Sequence, residues 1–256
     1  MKKLLILSLL TFLVSCSWAS NISGSKYNSR FGFISFTDDK FTYISVDIND
    51  RSRTEIHGVY ELSTEYKVPF LLVNYEEEEE KWLALFSGDI IFLYKENSKV
   101  PFFIGITEKP SKLEGLYMDP SIFKATSFLN EGDIRYGVEN LGNAYLDQPW
   151  VEGQSGLGIH EKISVSSNGA NSFIISNGYV SYHKPYLYEY NSRIKRIKVN
   201  DLDNGYSQYF DIPDSPNPFN VRLDKFSQNV EVELLEVYRG TRWTDTCINF
   251  LFIKSF

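Results

Sequence analysis

The side chains best suited to recognition chemistry lie in the second half of this sequence: Trp150, Glu152, His160, Glu161, Tyr182, His183, Tyr186 and Tyr188. Sugars are held by aromatic faces that stack on the C–H surface of the ring, and by carboxylate, amide and imidazole groups that bond the hydroxyls. Both kinds of group are present here. Residues 179–190 are rich in tyrosine, which offers contact area with little side-chain entropy to lose. The alternative use of these rings is to alternate along an edge strand and cover a sheet. Arg193, Lys195, Arg196 and Lys198 form one basic cluster, either a strip for sulfated or sialylated glycans or a solvated strand face.

Catalysis has a weaker footing. The three histidines, His57, His160 and His183, lack metal-ligand spacing, and none lies in a serine or cysteine catalytic motif. Asp147 with Glu152 is an acid pair, but paired acids are common in loops and are not by themselves a glycosidase signature. Five consecutive glutamates, Glu76 to Glu80, read as a solvated hairpin tip that discourages edge pairing. A calcium site needs carboxylates that wrap around an ion, with carbonyl help. The expectation is a protein without enzymatic activity, bound metal or cofactor; a glycosidase remains an outside reading.

The elements that must position these groups are strands. From Phe31, short apolar runs alternate with Asp-, Asn- and Gly-containing turns, the pattern of an antiparallel meander that closes into a small barrel or sandwich over 31–107. Such a barrel is also a candidate carrier of a small apolar ligand, in a cavity lined by Phe33, Ile44, Leu72 and Leu85. Residues 108–121 hold two prolines, a glycine and scattered charge and read as a linker. The second domain, 122–256, has longer loops, with strands expected at 162–166, 172–176, 193–199, 230–238 and 247–253. Helical periodicity is scarce, with at most a turn or two expected over 122–129. The fold class is all-β, and 16% aromatic residues support it.

The chain opens MKKLLILSLLTFLVSC, two lysines and then an apolar run too short for an ordinary membrane span, as in a secretory signal. Leu13-Val14-Ser15-Cys16 resembles the lipobox of bacterial lipoproteins. That resemblance implies cleavage before Cys16 and acylation of Cys16, with residues 1–15 as signal and 16–30 as a Ser- and Asn-rich tether. The alternative is a plain secreted protein cut near Ala19. Loss of Lys2 and Lys3 moves the formal charge from -7 to -9, so nucleic acid is not an expected partner. Cys247 is then the single remaining cysteine and reads as a small hydrophobe in a buried strand. The expected location is the bacterial cell envelope, with the membrane as partner through the lipid on Cys16.

Several stretches of the second half resemble a known family. They are ATSFL at 125–129, YGVENL at 136–141, AYLDQPWVEG at 144–153, GLGIHE at 156–161, ISNGY at 175–179, NSRIKRIKV at 191–199 and EVYRGTRWTDTCI at 236–248. Their order and spacing are similar to the discoidin-like F5/8 type C module named after bacterial NAD glycohydrolase toxins, the NADase-type glycan-binding or translocation domain. The resemblance implies an eight-stranded jelly-roll sandwich with loops presented at one end, the non-catalytic part of those toxins. His160 stands where the family more usually has glycine, and the segment before Trp150 is shorter than the family's acidic loop. The function implied is recognition of a glycan or another surface ligand; docking of a protein partner in an envelope assembly is the alternative.

Overall fold

The structure, a computed structural model, describes residues 22–107 and 122–255. Cys16, the signal and the expected linker at 108–121 lie outside the described residues.

Eight antiparallel strands form a closed barrel: β1 (Lys26–Ser29), β2 (Gly32–Thr37), β3 (Lys40–Val46), β4 (Arg53–Glu65), β5 (Val68–Tyr75), β6 (Glu78–Phe86), β7 (Ile90–Tyr94) and β8 (Phe103–Ile106). Each strand pairs with the next, and β1 closes the ring against β8 with Asn28 opposite Ile106. The tether expected to run to residue 30 therefore ends earlier. Ile22 and Tyr27 are buried in the barrel core, because the ring needs an eighth strand to remove its open edge.

The barrel interior is filled. Phe41 meets Trp82 edge-on at 5.4 Å, Trp82 meets Phe102 at 5.2 Å, and Tyr43 meets Phe103 at 5.8 Å. Glu80 closes this aromatic stack: it accepts from Tyr75 Oη at 2.6 Å and Trp82 Nε1 at 2.5 Å, and pairs with Lys95 at 2.9 Å. The last glutamate of the acidic run is thus a structural cap, while Glu76 and Glu77 take the left-handed turn that a tight hairpin requires. The four residues expected to line a carrier cavity face away from the interior. Phe33, Ile44 and Leu72 are on the outside, and Leu85 belongs to a different core. The inward set on β5 and β6 is Leu71, Val73, Trp82, Ala84 and Phe86. Residues one apart on a strand point to opposite faces, and this parity removes the apolar carrier reading.

The second domain is a β-sandwich. Its seven-stranded sheet has a six-strand path, β12 (Trp150–Val151), β17 (Thr246–Ser255), β13 (Lys162–Asn177), β16 (Phe219–Tyr238), β14 (Ser192–Asp201) and β15 (Tyr206–Asp211), and off that path a seventh strand, β9 (Ile122–Ala125), paired to β13. A separate hairpin comprises β10 (Leu129–Glu131) and β11 (Ile134–Tyr136). The all-β expectation holds. Three local expectations do not. Residues 122–125 form a strand rather than a helical turn, since Ile122 to Ala125 pair with Ser166 to Ile163. The strands expected at 162–166 and 172–176 are one bent strand, its register shifted between Ser166 and Ser172. Residues 179–190 are no edge strand but a loop ending in the short helix α1 (Leu187–Tyr190).

The two domains share a core. Val68, Phe70, Leu83, Leu85, Ile90 and Phe92 leave the outside of the barrel to meet Ile174, Val180, Tyr182, Tyr188, Phe250 and Phe252. Phe92 and Phe250 lie 4.9 Å apart, and Phe250 stacks on Phe252 at 4.8 Å. Both faces of β6 and β7 are thereby buried, which is why they read WLALF and IIFLY without alternation. Phe250→Ala removes a fully buried ring from this seam and is expected to cost about 3–5 kcal/mol of folding free energy. Urea unfolding of the variant checks this; a loss below about 1 kcal/mol would mean that the two faces merely touch.

Candidate functional site

Most of the residues singled out from sequence are structural. Trp150 is fully buried in the sandwich core and donates from Nε1 to the Ser127 carbonyl at 3.1 Å. Glu161 accepts from the hydroxyls of Thr126 and Ser127, which pins the chain after β9. Tyr182 packs into the interdomain core, its ring 5.5 Å from Phe70 and its hydroxyl donating to the Lys81 carbonyl at 2.7 Å. Burial, with Glu96 nearby, pushes its phenol up to about 12. Tyr188 is fully buried and reaches Asp214 at 3.3 Å.

Three of the four members of the basic cluster are paired with carboxylates. Arg193 forms a buried two-point pair with Asp214 at 3.0 and 2.9 Å, and Lys67 from the barrel binds the same carboxylate at 2.5 Å. Lys195 pairs with Glu236, and Arg196 lies near Asp211 and Glu236. A strip with only Lys198 outside these pairs does not favour an anionic glycan. His160 is exposed and set apart, with Nδ1 2.9 Å from Glu233. Its φ is 71°, in the left-handed region that favours glycine.

His183 opens onto a cleft of about 680 Å³, while Tyr182 borders a separate hollow of about 630 Å³ on the barrel side, beside Lys95 and Glu96. The cleft lies between the β10–β11 hairpin, the 179–184 loop, the 147–148 turn and Lys99 of the barrel. A second hollow of about 330 Å³ adjoins it, sharing Tyr136, Tyr179 and Lys184, and runs past Tyr186 to Arg242 and Trp243. Gly178 turns the chain into this region with φ +79°, and a Cβ there would lie 2.6 Å from the Tyr188 ring. Tyr179 then leaves the strand to meet Tyr136 edge-on at 6.2 Å.

Trp243 was not among the candidates from sequence, yet it is the exposed tryptophan of the groove, 36% accessible. Its loop is tied to the helix by Trp243 N–H donating to Tyr190 O at 2.8 Å and Thr241 N–H to Glu189 O at 2.9 Å. Tyr190 supports one side at 5.6 Å and the Arg242 guanidinium lies 4.9 Å from its centroid. The groove thus offers a propped indole face beside charged and amide groups. Among the described residues no cluster of three or more His, Cys, Asp or Glu could hold a metal. Cys247 is buried, and burial, with Asp245 nearby, pushes its thiol far above the ordinary range, so it is no nucleophile.

Residues 117–253, more than half of the chain, match the family model of the NAD glycohydrolase translocation F5/8 type C domain. The chain belongs to this family. Among solved structures, the family 32 carbohydrate-binding module of C. perfringens NanJ, in complex with galactose, is similar at 15% identity and a TM-score of 0.38, over 55% of this chain and 98% of that one. The family 32 module of Streptococcus pneumoniae EndoD gives 11% and 0.40, over 54% and 98%. A two-domain protein of unknown function from Bacteroides fragilis NCTC 9343 gives 12% and 0.36, over 93% and 92%. No curated protein matches the chain.

In this F5/8 type C domain, the words that carry the family resemblance hold the fold together. Gly153 packs so close that a Cβ would lie 2.4 Å from the Phe128 carbonyl oxygen, and one on Gly158 would lie 2.5 Å from Cγ of Glu152. Glu152 is fully buried beneath that loop. One carboxylate oxygen accepts from the Gln154 N–H at 2.7 Å; the other has no hydrogen-bond partner. Burial, with Asp245 and Glu161 nearby, raises its pKa from 4.5 to about 7. A raised carboxyl pKa stabilises the fold most below the unfolded value, and this contribution is lost as pH rises from 4.5 through about 7. Glu152→Gln is therefore expected to flatten the fall in stability across that window, by about 3 kcal/mol between its ends. Thermal melts between pH 4.5 and 8 test this, and an unchanged slope in the variant would refute it.

Proposed function

We propose that this chain is a lipid-anchored, non-enzymatic protein of the bacterial cell envelope that binds glycan through the groove at the loop end of its sandwich. The observation that carries the glycan reading is Trp243: an accessible indole, held in place by Tyr190 and Arg242, at the edge of a hollow whose rim also holds Asn191 and Asp245. Stacking on an indole face suits the C–H surface of a pyranose, and the neighbouring polar groups suit its hydroxyls. The lipid anchor rests on the lipobox-like sequence that ends at Cys16. Absence of catalysis rests on the sequence motifs and on the inert state of Cys247.

Cys16→Ser in the full-length precursor is expected to move the protein from the membrane fraction to the soluble fraction, with loss of acyl label. Persistence in the membrane with no label in the parent protein would point to another mode of attachment. The Cys16→Ser protein, cut to residues 16–256, is the form to place on a glycan array. Selective binding is expected, weakened about tenfold or more by Trp243→Ala, a loss of ~1.4 kcal/mol or greater. A blank array from folded protein would turn the reading to a protein partner.

A further inference from the structure

We infer, resting on the glycan reading, that the binding site is composite and that its occupant is an oligosaccharide spanning both hollows, with Lys99 of the barrel at one end and Trp243 at the other. Lys99 lies on the barrel segment between β7 and β8, yet it lines the larger cleft of the second domain. Its position is fixed from both sides. Leu146 N–H donates to the Lys99 carbonyl at 2.9 Å, and just before the loop Tyr94 Oη donates to the Ala144 carbonyl at 2.9 Å. Tyr94 is fully buried, so this anchoring is part of the shared core and not a surface touch.

The side chains of Lys99 and Lys184 have no ion-pair partner among the described residues. Lys67, Lys81, Lys95, Lys162 and Lys195, by contrast, are each held in an ion pair. Two unmatched ammonium groups, able to turn three donors each, line one hollow. The aromatic platform stands in the other. Tyr136, Tyr179 and Lys184 border both hollows, so nothing but shared side chains separates them. Each hollow alone is within the few-hundred-Å³ range of a small-molecule site. One sugar unit on the Trp243 face would leave the Lys99 compartment untouched; a chain of linked units reaches both.

The test is a size series, mono- to tetrasaccharide, of each glycan on the array, probed with the whole 16–256 chain carrying Cys16→Ser. Affinity is expected to rise at least tenfold from the monosaccharide to the longest member. Lys99→Ala is expected to take away at least fivefold of that gain, with Lys99→Arg restoring most of it. Lys99 is exposed, so the substitution leaves the fold intact, and an unchanged melting temperature verifies this. Binding without length dependence, or a Lys99→Ala protein that binds every length as the parent does, would overturn the inference and leave the glycan reading standing. A blank at every length would sink both.

Discussion

Phe92 of the barrel and Phe250 of the sandwich meet 4.9 Å apart, at the centre of a core that neither domain can form alone. Strands β5 to β7 place one set of side chains in the barrel and the alternate set in this seam. Separation of the domains would expose rings on both surfaces, at about 25 cal/mol for each Å² of apolar area. The polar edge of the seam is equally committed. Asp214 binds Lys67 of the barrel and Arg193 of the sandwich, and although burial alone would raise its pKa, these cations hold it below the ordinary range. Removal of the barrel would leave Asp214 one cation short.

This seam dictates what the tyrosine-rich segment does. Residues 179–190 cross the junction, and their rings are divided among three environments. Tyr182 and Tyr188 fill the shared core, Tyr186 meets Tyr66 of the barrel at 6.2 Å, and Tyr179 and Tyr190 support the groove. A composition that suggests a recognition surface is therefore mostly mortar. The same geometry brings the 95–101 loop of the barrel to the mouth of the groove, because β7 lies in the seam and Tyr94 ends it.

The fold class was legible because turn spacing and aromatic content are local properties. Closure of the barrel was half legible: the strands could be counted from Phe31, but β1 lay hidden in a Ser- and Asn-rich stretch whose polarity resembled a tether. The inward face was misassigned by one residue, and with period-two geometry one residue inverts every side chain. WLALF and IIFLY carried the seam in plain view, since a strand without alternation is buried on both sides. For the site, the familiar words drew attention to Trp150, Glu152 and Glu161, residues whose burial the fold requires. Trp243 lay inside one of those words, without any local feature to mark it as exposed.

The division between buried and exposed groups gives the groove its weight. Trp150, Glu161, Tyr182 and Tyr188 are explained once their burial and bonds are known, and no ligand is needed to account for them. The folding of either domain does not account for Lys99, His183, Lys184 or the open face of Trp243 in the same way, since each presents its functional atoms to solvent. A single exposed aromatic needs no special cause. An exposed indole braced by a tyrosine and an arginine, on a loop tied by backbone bonds to a helix, is held in one orientation. Orientation fixed before binding lowers the entropy lost when a ligand docks, and it is on this pre-set face, more than on the family words around it, that the proposed glycan site rests.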